Sequence, residues 1–208
     1  MKYISIGYAC AVKYNINKYR GESETLFFDW LMTSMDSVIE ILNCNNINNI
    51  IYSDNIVRDL NNPYHCDNNS RIVIKSLNFC VSIHDLSKNY TDNDVLDFID
   101  KYSRRFKRII EYIKSNEQIC FIRMGDVVSC DQIYKFIETI KTINSNCDFT
   151  IVVIDNNKYN KSEIIKQPNL LYIKLNVDVP IGEFDWTYDF LNWNSIFLEI
   201  ENNIKSAF

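Results

Sequence analysis

The pattern opens with a mostly apolar run over residues 3–6, Tyr-Ile-Ser-Ile, which predicts a short strand. Gly7 ends it and suits a sharp turn, because glycine takes positive φ without steric cost. Residues 10–19 predict an irregular helix with Cys10 in its first turn. Residues 20–25 read as a polar loop, and 27–31 form a compact aromatic block. Thr33 or Ser34 is placed to cap a helix carrying Val38, Ile39, Ile41 and Leu42, which ends in the turn-forming residues 43–46. Residues 51–60 fit a strand or a short helix. Residues 72–75 and 79–83 predict strands, joined as a hairpin by 76–78.

Helical spacing is clearest further on. Val95, Phe98, Ile99, Tyr102, Phe106, Ile109, Ile110 and Ile113 recur on one face behind a cap at Thr91 or Asn93. Residues 119–122 predict a strand, and 123–126 leave it. A second amphipathic helix carries Ile133, Phe136, Ile137, Ile140 and Ile143. Residues 149–154 form a strand apolar enough for burial on both faces, closed by 155–157. Residues 170–175 predict another strand, 180–182 a turn, and Trp193, Ile196, Phe197, Ile200 and Ile204 a last helix. Strands alternating with amphipathic helices predict an α/β fold, a mainly parallel, Rossmann-like sheet with helices on both faces. No internal repeat or linker divides residues 1–208, so one domain is expected. Sites on such sheets lie beyond the carboxyl ends of the strands. The prediction puts residues 7–10, His84, Asp85, residues 123–126 and Asp155 there.

Composition narrows the function. A net charge of −5 argues against nucleic acid as a partner, which needs a basic surface. No apolar run approaches the ~18 residues of a membrane-spanning helix, so no membrane partner is expected. The broken apolar start lacks a cleavage site and reads as mature structure. Seven cysteines, an odd number in a chain of 208 residues, read as reduced thiols of a cytoplasmic protein, bacterial or viral in its host. Abundant Asn, Ile, Lys and Tyr fit a low-GC bacterium or a large DNA virus.

Two sites of chemistry stand out. Cys10, at the start of a helix, would meet unpaired N–H groups and a positive dipole end that favour a thiolate; a buried, inert thiol is the alternative. His84 follows an apolar strand, where a neutral imidazole can deprotonate a thiol or simply bond to backbone. Asp85, Asp29 or Asp126 is available to orient the ring. His65, beside Cys66, reads as a surface residue. A metal site is not expected: Cys80 and His84, on one strand, would stand about 13 Å apart. Arg104, Arg105, Lys107 and Arg108 read as a solvated helix face. Arg123, at a strand end, either holds a carboxylate or phosphate or pairs with a buried Asp. No glycine-rich phosphate loop or Gly-x-Ser-x-Gly elbow is present, and no cofactor is expected.

Ser5-x-Gly7-x-x-Cys10, Phe28-Asp29-Trp30-Leu31, Ser82-Ile83-His84-Asp85, Tyr102-Ser103-Arg104-Arg105-Phe106 and Phe121-Ile122-Arg123 follow one another in a characteristic order. Over residues 2–154 this set resembles a family of papain-like cysteine peptidases found in bacteria and large DNA viruses. The resemblance implies Cys10 as nucleophile, His84 as base and an Asp or Asn orienting the ring. It also makes an α+β papain-like fold the alternative to the Rossmann-like one. The expectation is a cysteine-dependent hydrolase or acyl-transfer enzyme, with Asp29 or Asp85 beside His84. Ser5, Gly7, Trp30, Arg123 and Asp126 would bind substrate: a peptide, acyl or sugar compound. Two other readings stay open. One is a glycan-assembly transferase holding a nucleotide-sugar at Arg123, Asp126 and Asp155. The other is a non-catalytic α/β binding protein. The oligomeric state is left open.

Overall fold

The computed structural model describes residues 1–8, 10–59, 69–125, 127–155, 163–167, 170–176, 187–189 and 191–207. In chain order the elements are β1 (Lys2–Ser5), α1 (Cys10–Arg20), β2 (Leu31–Thr33), α2 (Met35–Asn43), β3 (Ile56–Arg58), β4 (Ile72–Ile74) and β5 (Cys80–Ser82). They continue with α3 (Asp92–Lys114), β6 (Ile119–Met124), α4 (Cys130–Ile143), β7 (Phe149–Asp155), β8 (Glu163–Gln167), β9 (Leu170–Asn176) and α5 (Trp193–Ala207). The expected caps are in place. The Ser34 side chain accepts from the N–H of Ser37 at the start of α2, and Thr91 with Asp94 closes a capping box on α3.

Two sheets result. The larger has the order β1-β6-β7-β9-β8; β1, β6, β7 and β9 are parallel neighbours, and β8 adds an antiparallel edge. The smaller, β2-β5-β4-β3, is antiparallel throughout. The fold is α/β overall, as expected, but with this second sheet. Among the described strands the parallel ones advance in a single direction, without the reversal of order that marks a doubly wound sheet.

Side chains alternate across the larger sheet with the two-residue period of a strand. Tyr3, Cys120, Ile122, Met124, Val152 and Ile154 face α1 and α5. Ile4, Ile119, Phe121, Ile151 and Val153 face the other way, into a core shared with α2, α3, α4 and the smaller sheet. Helices thus cover both faces. Crossovers of one hand advancing in one direction fall on one face, which is where α3 and α4 lie. No helix among the described residues is long and apolar enough to cross a membrane.

Candidate active site

Cys10 is presented by the turn between β1 and α1. The Ile6 N–H donates to the Ile122 carbonyl at 3.0 Å, carrying β1 pairing up to the turn. Gly7 and Tyr8 then both take positive φ, 81° and 66°, and α1 begins at Cys10. The glycine is required twice over. Its φ is left-handed, and a Cβ there would stand 1.8 Å from Thr33 Oγ1. Tyr8 holds this conformation without glycine's freedom, a local strain on the order of 1 kcal/mol. Cys10 is half-buried at the helix end, where first-turn N–H groups lack intrahelical acceptors.

His84 comes from the other sheet. β5 pairs with β2 so that Leu31 faces Ser82, and the chain continues from Ser82 to an exposed His84. Its Nε2 lies 3.8 Å from Cys10 Sγ, within sulfur hydrogen-bond range. Trp30, immediately before β2, packs its ring against the imidazole in a T-shaped pair, with centroids 6.1 Å apart at 82°.

Neither expected carboxylate meets the imidazole. Asp85 turns away from its neighbour: it accepts from Ser82 Oγ, from Lys101 Nζ at 2.7 Å and from the Tyr102 hydroxyl at 2.7 Å. Burial works to raise its pKa, but these three donors outweigh burial and hold it below the usual carboxylate value. Asp29 is buried, accepting from the Leu26 N–H at 2.7 Å and facing Lys13 Nζ at 3.4 Å. Burial pushes its carboxyl up to about 6, against the pull of Lys13. Both assignments as the ring's orienting group are therefore corrected. A carboxylate adjacent in sequence to the histidine points elsewhere, and the other is committed to α1. Among the described residues, the group set against His84 is Trp30.

Arg123 also differs from expectation. β6 runs through it, so it is an interior strand residue rather than one leaving the strand, and it is fully buried. Its Nη1 donates to the Ile6 carbonyl and its Nη2 to the Thr33 carbonyl, both at 2.7 Å, and the guanidinium lies 5.8 Å from the Tyr8 ring centroid. These two bonds are internal and fit the fold-holding role that the sequence left open beside the substrate-facing one. Ser5 is likewise buried within β1. Gly7 shapes the turn, and Trp30 is half-buried beside the base. Asp126, His65 and Cys66 lie outside the described residues, as does the side chain of Asp155.

The other described thiols differ from Cys10 in setting. Burial pushes Cys80 up to about 12 and Cys44 and Cys147 up to about 11, and raises Cys120 further. Cys130 is exposed. Sequence reasoning missed Lys13, and read Thr33 only as a candidate helix cap. Lys13 is buried and donates to the Glu22 carbonyl at 2.9 Å and to the Glu24 carbonyl, fastening α1 to the 22–29 segment. Its place beside Ala11, Val12 and Ile16 was the available signal.

Among known proteins, the chain is 24% identical to an uncharacterised protein, R408, of Acanthamoeba polyphaga mimivirus, over 94% of this chain and 96% of that one. No solved structure matches it. A family model described as "Putative papain-like cysteine peptidase" matches residues 1–158, and the chain belongs to that family.

Proposed function

We propose that the protein is a cysteine-dependent hydrolase or acyl-transfer enzyme using Cys10 and His84. The observation that carries this is the 3.8 Å approach of Sγ to Nε2 at a strand-turn-helix junction. In the reaction, Nε2 takes the Cys10 proton and the thiolate attacks the carbonyl carbon of a peptide, isopeptide or thioester. The oxyanion forms beside the N–H groups at the start of α1, where the helix dipole is positive. The intermediate collapses, expelling an amine or thiol that recovers the proton from the imidazolium and leaving an acyl group on Sγ. Water, deprotonated by the same imidazole, or another nucleophile then releases the acyl group. The T-shaped contact with Trp30 restricts the ring in the place of a carboxylate. Cysteines held as thiols rather than disulfides at Cys10, Cys44, Cys80, Cys120, Cys130 and Cys147 suit a reducing compartment, the cytoplasm of a bacterium or of an infected host.

The test is the iodoacetamide rate of each cysteine against pH, read by mass spectrometry on native protein and on His84→Ala. Cys10 is expected to react at least about tenfold faster than the exposed Cys130 near pH 6, where an ordinary thiol is almost wholly protonated. The variant should bring Cys10 into line with Cys130. Equal Cys10 profiles in both proteins would refute the dyad.

A further inference from the structure

The nucleophile and the base of the proposed dyad follow strands of different sheets, and among the described residues no strand pairing joins those sheets. β1, which leads to Cys10, is an end strand of the larger sheet; β2, paired to the strand that leads to His84, is an end strand of the smaller. Arg123 bridges this boundary. One arm of its guanidinium takes the Ile6 carbonyl, immediately before the Gly7 turn, and the other takes the Thr33 carbonyl, at the end of β2. The same junction is in tight contact, since no room exists for a Cβ between Gly7 and Thr33.

We propose that Arg123 is the positioning residue that sets the Cys10–His84 spacing by clamping the two sheets together behind the dyad. The inference rests on the dyad reading. A planar fork with two diverging donors suits two carbonyls on separate strands; a lysine, with a compact point charge, does not reproduce that geometry. The clamp acts at a distance from substrate. It fixes where β1 ends relative to β2, and β2 fixes β5 through the Leu31–Ser82 pair, just ahead of His84.

The experiment compares wild type, Arg123→Lys, His84→Ala and the double variant by the Cys10 alkylation rate against pH, with near-ultraviolet circular dichroism as the check on folding. In folded Arg123→Lys, Cys10 should slow about tenfold to a hundredfold at pH 6, the cost of a misplacement near 1 Å. Its pH profile should move toward that of His84→Ala, and the double variant should be no slower than His84→Ala alone, because both changes remove one interaction. A folded Arg123→Lys with the wild-type profile overturns the clamp while leaving the dyad standing. A His84→Ala protein with the wild-type profile overturns the dyad itself, and the clamp with it. If Arg123→Lys does not fold, 15N spectra of the wild-type protein decide. The clamped guanidinium should give separate, slowly exchanging Nη signals, and a single averaged, fast-exchanging signal overturns the proposal.

Discussion

Gly7 is the residue on which the proposed nucleophile's position turns. Alanine there would have to hold a φ of 81° and place its Cβ against the Thr33 side chain, whose Oγ1 would be 1.8 Å away. Gly7→Ala is expected to destabilise the protein by more than about 2 kcal/mol, measured by urea unfolding, because strain and overlap add. An effect within 0.5 kcal/mol, in the ~0.5 kcal/mol range of ordinary surface substitutions, would show that the turn relaxes freely. Asp29 gives a second residue-scale prediction, with a sign opposite to that of most carboxylates. Its folded pKa, about 6, lies above the unfolded value, so the folded state binds the extra proton. Its contribution to stability is full below about pH 4 and is lost as pH rises through 6. The stability of wild type relative to Asp29→Asn should therefore fall between about pH 4 and 6, by something on the order of 2–3 kcal/mol, and level off above. A difference independent of pH would sink this account. Cys10 and His84 were singled out in the sequence by a strand, a glycine and a thiol in succession and by one of only two histidines at a strand end, but the approach of their side chains to each other was not legible there. The partners of Asp29, Asp85 and Arg123 were not. Which carbonyl or cation a buried polar group meets is decided by contacts between residues far apart in the chain, such as Arg123 with Ile6.

At the scale of elements, Asp85 ties the end of β5 to α3. It accepts from Lys101 and Tyr102 on that helix, and the Tyr102 hydroxyl has no route to solvent, since the residue is fully buried. Asp85→Ala should cost about 2–4 kcal/mol, because it strands a buried donor and removes an ion pair together. Asp85→Asn should cost less, since it keeps an acceptor for Tyr102. The depressed carboxyl fixes the pH sign: its stabilisation is present above the unfolded pKa, near 4, and disappears as pH falls through the lower folded value. Urea titrations of wild type and Asp85→Asn should accordingly converge below about pH 4, and curves that stay parallel would refute the sign. α3 itself was readable from its apolar spacing and its Thr91 cap, because a helix of 23 residues repeats its pattern many times. β2 was not: three residues are too few for an alternation, and Leu31–Thr33 was absorbed into an aromatic block and a cap. Missing β2 meant missing the second sheet as a separate body, since β2 is what pairs with β5 there. The hairpin of β4 and β5 was visible, but its destination was not. A hairpin's sequence fixes its register and leaves open which sheet it joins.

At the scale of the whole molecule, two sheets raise the question of whether they unfold as two units. The core argues for one. Ile4, Phe121 and Ile151 of the larger sheet share a single buried cluster with Leu31, Ile72 and Cys80 of the smaller, together with Val38 of α2, Phe98 of α3 and Phe136 of α4. Separating the sheets would expose this shared surface and break the Arg123 bonds at once, so an intermediate with one sheet folded has little to stabilise it. We therefore expect a single urea transition. Far-ultraviolet circular dichroism and the enhanced alkylation of Cys10 should be lost at the same midpoint, and the second is the sharper probe. The Cys10–His84 contact exists only while both sheets hold their relative positions, whereas the helical signal does not depend on that spacing. If Cys10 loses its enhancement at a lower urea concentration than the helical signal, the sheets separate before they melt. The site would then be an interface between two folding units rather than a feature of one core. Coincident midpoints in wild type, with the midpoints splitting in Arg123→Lys, would locate the coupling between the sheets in that one buried guanidinium.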